Sequence, residues 1–118
     1  MSHTTVTTAK VSNLDYLTVL SKGNPEFVTE MIDIFLTETP AEIETLEISI
    51  EENDFEQIQS IAHHMRSTMP FVGLDKHIGT ELTQTEQLAK ARSGIQTIKI
   101  NFAKIKAICN KAVEELSA

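Results

Sequence analysis

Apolar residues recur every three or four positions along almost the whole chain, and no useful stretch alternates with a period of two. A chain so patterned can bury its apolar residues as helix stripes but not as the face of a sheet, so an all-α fold is expected. At 118 residues it is long enough for one hydrophobic core and too short for two. Tryptophan is absent and aromatic residues make up 5%, so that core must be built mainly from Ile, Leu, Val, Met and Phe.

The pattern divides into five helices. The first runs from about Leu14 to Ser21, with Ser12 or Asn13 as its N-cap, and ends at Lys22-Gly23-Asn24. Pro25 opens a long helix to about Glu52, with Val28, Ile32, Phe35, Thr39, Ile43, Leu46 and Ile50 facing inward. Pro40 removes the bond to the Leu36 carbonyl and is expected to bend this helix, with a clean break as the competing reading. Asn53-Asp54 closes it and caps a third helix from about Phe55, whose inward set is Ile58, Ile61, Ala62, Met65, Met69 and Val72. After Gly73-Leu74-Asp75 a fourth helix, about Lys76–Ala91, turns Ile78, Leu82 and Ala89 inward. Arg92-Ser93-Gly94 turns into the last helix, about Ile95–Leu116, with a seam of Ile98, Phe102, Ile105, Cys109, Ala112 and Leu116. Short connections favour antiparallel neighbours. The expected architecture is therefore an antiparallel up-down-up-down four-helix bundle with a short additional N-terminal helix. Residues 1–11, rich in Ser and Thr without apolar periodicity, are expected to be a disordered N-terminal segment, leaving 12–118 as the bundle domain.

Several function classes are disfavoured at once. The net charge is −7 and only Arg66 and Arg92 are arginines, which argues against a nucleic-acid partner. Gly23, Gly73, Gly79 and Gly94 stand alone, so there is no Gly-rich phosphate loop for ATP. One cysteine, Cys109, excludes an internal disulfide or a multi-cysteine zinc site, and its place in the core seam reads as a small hydrophobe. No apolar run approaches the ~20 residues of a membrane span, and the N-terminus lacks a signal-peptide core, so a cytoplasmic protein with no membrane partner is expected. A monomer is expected, because such a bundle buries its seams within one chain. The acidic run Glu42, Glu44, Glu47, Glu51 and Glu52 reads as a solvated face.

The unusual segment is Ser60-Ile61-Ala62-His63-His64-Met65-Arg66-Ser67-Thr68-Met69-Pro70. At about 100° per residue, His63 falls roughly 150° from the core direction of its helix and His64 roughly 110° away on the other flank. His63 should therefore face water, with Gln59 one turn before it, Ser67 one turn beyond and Arg66 to one side. An unperturbed imidazole, with a pKa of ~6.5, offers a nucleophilic nitrogen at neutral pH. A guanidinium three residues on can offset the charge of a phosphoryl group without deprotonating. A solvent-facing histidine near an arginine is nevertheless common on helix surfaces. A metal pair from His63 and His64 is weaker, because adjacent helical residues diverge and no further ligands have suitable spacing. Ser67 and His63 share a face but have no oxyanion site for triad chemistry. Phe71 points away from the core on a regular helix, so it is either an exposed contact residue or repacked by a bend at Pro70.

The run Ala62-His63-His64-Met65-Arg66-Ser67-Thr68, followed by Val72-Gly73-Leu74, resembles the signature of histidine-containing phosphotransfer (HPt) domains. That pattern is roughly alanine, the phosphorylated histidine, any residue, an apolar residue, lysine, glycine and small residues, with an apolar-glycine pair later. Leu20-Ser21-Lys22-Gly23-Asn24-Pro25-Glu26-Phe27 and Ile34-Phe35-Leu36-Thr37-Glu38-Thr39-Pro40 are similar to further segments of the family. The likeness covers about residues 14–90, and the last helix by pattern only. Taking His63 as the active histidine puts Arg66 at the lysine position and Ser67 at the glycine position, whereas His64 in that role would leave no basic residue there. Arg66 widens the cationic head group, and Ser67 adds a side chain where a partner approaches.

The resemblance implies a phosphorelay intermediate of two-component signalling. It would accept a phosphoryl group on His63 from a receiver-domain aspartate and pass it to another receiver domain. Such a chain would be a phosphocarrier without its own kinase activity. With no kinase or receiver segment in the sequence, a soluble intermediate and not a fragment of a larger sensor is expected. Arg66 would steady the phosphoryl group, Gln59 would be a weaker candidate to orient the ring, and Ser67 would border the site. Implied partners are response-regulator receiver domains and a (hybrid) sensor histidine kinase. No cofactor is expected on this chain, Mg²⁺ being carried by the receiver. The alternative is a non-phosphorylated helical-bundle module that binds a receiver domain or kinase.

Overall fold

Polar caps and left-handed residues cut the chain into its helices. The computed structural model describes residues 10–118. In it α1 spans Asp15–Ser21, α2 Pro25–Glu51, α3 Phe55–Thr68, α4 Asp75–Lys90 and α5 Ile95–Ser117, with a 3₁₀ turn at Met69–Val72. The described residues are all-helical, with no strand. Asn24 Oδ1 accepts from the N–H groups of Glu26 at 3.0 Å and Phe27 at 3.4 Å, and Pro25 sits in the first turn of α2 where no donor is needed. Asp54 caps α3 by accepting from the Gln57 N–H at 3.1 Å.

The two internal prolines have different outcomes. α2 runs unbroken through Pro40, so the loss of one backbone bond is absorbed within a long helix and the break considered above does not occur. At Pro70, close to the end of α3, the helix stops at Thr68 and the chain tightens into the 3₁₀ turn. Gly73 N–H then bonds to the Pro70 carbonyl at 3.1 Å and Leu74 N–H to the Met69 carbonyl at 3.1 Å. This is a bend at Pro70, one of the two readings given for Phe71, and it leaves Met69 and Val72 buried.

The inward set expected of the third helix is buried throughout, Ile58, Ile61, Ala62 and Met65 in α3 and Met69 and Val72 in the 3₁₀ turn that follows it. It packs with Ile78, Leu82 and Ala89 of α4 and with Ile98, Phe102, Ile105, Cys109 and Ala112 of α5. Phe35, Ile43, Leu46 and Ile50 of α2 complete the core. Each fully buried aliphatic side chain contributes about 1.5–3 kcal/mol, so this stripe fixes how α3 is rotated. Val28 and Ile32, expected inward, are only half-buried. α2 has 27 residues against 14 in α3, so its N-terminal half outruns its neighbour and meets the short α1 instead.

α2 touches α3 and α5, α3 touches α4, and α4 touches α5. Between α4 and α5, buried Asn101 donates to Gln84 Oε1 at 2.9 Å and to the buried Thr85 hydroxyl at 3.4 Å, and Lys104 Nζ meets Glu81 at 2.8 Å. Partner numbers fall on α4 as they rise on α5, so this pair of helices runs antiparallel.

The chain start differs from expectation. The N-cap position of α1 is Leu14, without a side-chain cap, while Asn13 Oδ1 accepts from the Asp15 N–H at 2.8 Å. Ser12, offered as a cap, is drawn to the far end of the chain. Its N–H and hydroxyl donate to Glu115 at 2.9 and 2.6 Å, and the Val11 N–H does so at 2.9 Å. Val11, assigned by sequence to the disordered segment, is 8% exposed. Residues 1–9 lie outside the described residues, and with them most of that segment. Gly73 lets the incoming chain segment cross the 3₁₀ turn. Its φ is +76°, and a Cβ there would lie 2.7 Å from Asn13 Cβ and 2.8 Å from the Asn13 carbonyl oxygen.

Candidate functional site

Because α3 turns its apolar stripe to the core, its opposite face must present the polar residues between those positions, and His63 and His64 fall on that face's two flanks. The His63 side chain is 72% exposed and leans toward α4, where Nδ1 lies 2.8 Å from Glu86 Oε2. His64 is 52% exposed and leans the other way, its Nδ1 bonded to Glu42 of α2. The divergence of adjacent helical residues thus separates the two rings onto different carboxylates. Among the described residues no group of three or more His, Cys, Asp or Glu converges into a metal-ligand set.

Glu86 is the residue that sequence reasoning missed. One carboxylate oxygen takes the His63 ring and the other takes Nη1 of Arg66. Glu86 is only 16% exposed, so it is the partly buried anchor of a three-residue network whose other members are open to water. Burial pushes its carboxyl upward, but hydrogen bonds from Arg66 and His63, with their charges, together hold it below its ordinary value. A carboxylate can only accept, so His63 Nδ1 must carry the hydrogen, and in the neutral ring the lone pair is then on Nε2. No described residue bonds to Nε2. The arrangement presents a nucleophilic nitrogen to solvent in one tautomer.

The other expected site residues are placed less centrally. Gln59 lines the same shallow depression as Glu56, Ser60, His63 and Glu86, but the hydrogen bond that orients the ring comes from Glu86 and not from Gln59. Ser67 turns its hydroxyl back to donate to the His64 carbonyl at 2.7 Å, so it adds bulk beside His63 without reaching for it. Arg66 is 45% exposed and its guanidinium is engaged by Glu86.

Apolar side chains are also exposed on α1 and α2. Tyr16, Val19 and Leu20 of α1 and Ile34 of α2 are exposed. Phe71 is half-buried, and its ring centroid lies 5.9 Å from that of Tyr16 at 42°. This resolves the two readings of Phe71: the turn at Pro70 repacks it against α1. A depression is lined by Met31, Ile34, Phe35, Thr39, Phe71 and Val72 and bordered by Glu42, which also holds His64.

No helix among the described residues is long and apolar enough to cross a membrane. Residues 30–108 match the family model of the Hpt domain. Searches of curated proteins and of solved structures gave no significant match.

Proposed function

Since the chain belongs to the Hpt domain family, whose members are phosphocarriers in the histidine phosphotransfer of two-component signalling, we propose that it is a relay intermediate charged on His63. The observation that carries this reading is the exposed His63 ring with Nδ1 held by Glu86 and Nε2 free. In the proposed step the Nε2 lone pair attacks the phosphorus of a receiver's aspartyl phosphate. The N–P bond forms as the P–O bond breaks, and the aspartate carboxylate leaves. The Nδ1 hydrogen stays in place, so the ring becomes a cation facing the Glu86 carboxylate. The reverse sequence on a second receiver returns the ring to neutrality. Phosphoryl transfer of this kind depends on positioning and charge stabilisation, so few groups are required of the carrier.

Arg66 steadies the phosphoryl group, Ser67 and Gln59 border it, and the receiver supplies Mg²⁺ from its own acidic pocket. Receiver domains and a sensor kinase dock on the apolar surface of α1 and the proximal part of α2. The four long helices form an up-down-up-down bundle, a reading supported by their contact order and short connections. The carrier acts as a cytoplasmic monomer without kinase activity of its own.

The test is phosphotransfer from a phosphorylated receiver domain to wild type and His63→Ala in parallel. Acid-labile, base-stable label on wild type alone is expected. Label on a folded His63→Ala protein at the wild-type level would remove His63 from the role, and label on neither with several receivers would leave the binding-only module.

A further inference from the structure

Arg66 and His63 are held by the two oxygens of a single carboxylate. In the unphosphorylated protein the guanidinium that should meet the phosphoryl group is therefore already paired with a carboxylate. Resting on the reading of His63 as phosphoacceptor, we propose that Glu86 is an exchangeable counter-ion: as His63 is loaded, Arg66 leaves Glu86 for the phosphoryl oxygens, and Glu86 turns its charge to the ring cation.

The charges drive this exchange. In the neutral form of the ring, the one whose Nε2 lone pair attacks, Glu86 faces one permanent cation, Arg66. After transfer, with the Nδ1 hydrogen retained, the ring carries a positive charge 2.8 Å from the same carboxylate. At the same moment a group bearing about −2 appears on Nε2. Arg66 then has a doubly charged partner in place of a singly charged one, and Glu86 has a new cation in place of the old. The geometry permits the change. Residues three apart on a helix have Cβ atoms about 5–6 Å apart. The Arg66 side chain is 45% exposed, so rotation of its own torsions carries it toward His63 without disturbing the core. Glu86, at 16%, is the fixed member.

Such a device makes the benefit of Arg66 depend on Glu86. While Glu86 is charged, part of the guanidinium's attraction for phosphate is spent in leaving it. Neutralising Glu86 as the amide keeps an oxygen that can accept from Nδ1 but weakens the hold on Arg66. The experiment is a double-mutant cycle on the full chain: wild type, Glu86→Gln, Arg66→Gln and the double variant, loaded with phosphoramidate as a small-molecule donor. The initial rate of labelling at His63 is read by mass spectrometry, and folding of each variant is checked by circular dichroism. Arg66→Gln is expected to slow loading at least threefold more in the Glu86→Gln background than in the wild-type background. Equal effects in both backgrounds would overturn the exchange and leave Glu86 as a tautomer-setting positioning residue. Failure of folded wild type to label, with phosphoramidate and with phosphorylated receivers, would instead bring down the phosphoacceptor reading and the exchange with it.

Discussion

Replacing Gly73 by alanine probes how the chain start and α1, whose apolar residues form part of the proposed docking surface, are held against the 3₁₀ turn. Two costs arise at this position. A φ of +76° is left-handed, which costs an L-residue about 1–2 kcal/mol. The new Cβ also meets the Asn13 backbone, 2.8 Å from its carbonyl oxygen and 2.9 Å from its nitrogen, with no flexible side-chain tip to give way. The segment at Asn13 must move, which strains the 2.8 Å bond from the Asn13 N–H to the Val72 carbonyl, worth about 1 kcal/mol net. The expected total is about 3 kcal/mol, or a fall of about 10 °C in Tm for a domain of this size. Gly23 supplies the control, because its φ is +83° yet nothing lies within 4 Å of its Cβ position. Gly23→Ala should show the conformational cost alone, about 1 kcal/mol once the lower entropy of the unfolded chain is allowed for. Urea unfolding of both variants measures the difference. Because the displaced segment leads into α1, Gly73→Ala should also slow transfer from a receiver domain while loading by phosphoramidate is unchanged. Equal stability losses at the two glycines would refute the claim that the chain crossing at Asn13 sets the cost.

Other consequences follow from the same structure. Burial raises the Glu115 carboxyl, but hydrogen bonds from Ser12 and Val11 hold it below its ordinary value. Its contribution to stability is therefore present above the unfolded value and lost as pH falls through the lower, folded one. Glu115→Gln should flatten part of the acid-side loss below about pH 4.5, read by urea melts from pH 7 to 3; an unchanged profile would show that the carboxylate does not anchor the chain start. Burial, and then the charge of Glu42, push the Cys109 thiol up to about 12. At pH 8 only about one thiol in 10⁴ is then ionised, so alkylation by iodoacetamide should be negligible until the protein is unfolded in urea. Rapid labelling of the native protein would contradict this burial.

How much of this was legible in the sequence depends on the range of the interaction. Every inward residue assigned to α3 is buried, and the α5 seam is buried except at Leu116, which is half-buried near the chain end. Thr85 and Asn101 escaped because an apolar pattern cannot register a polar pair that satisfies itself between two helices. Ser12 was assigned as a cap because capping is a local habit of serine, whereas its partner Glu115 lies 103 residues away.

By itself the sequence determined the helical segmentation, the face of α3 that enters the core and hence the exposure of His63, because these follow from a repeat of 3.6 residues and from caps within a few positions. It also carried the family signature around that histidine. Tertiary structure decided what the histidine meets. Glu86 reaches His63 and Arg66 only because α4 packs against α3 at one particular rotation and height, which the whole core sets jointly. The tautomer of the ring and the pairing of Arg66 depend on that packing, and no local pattern encodes it.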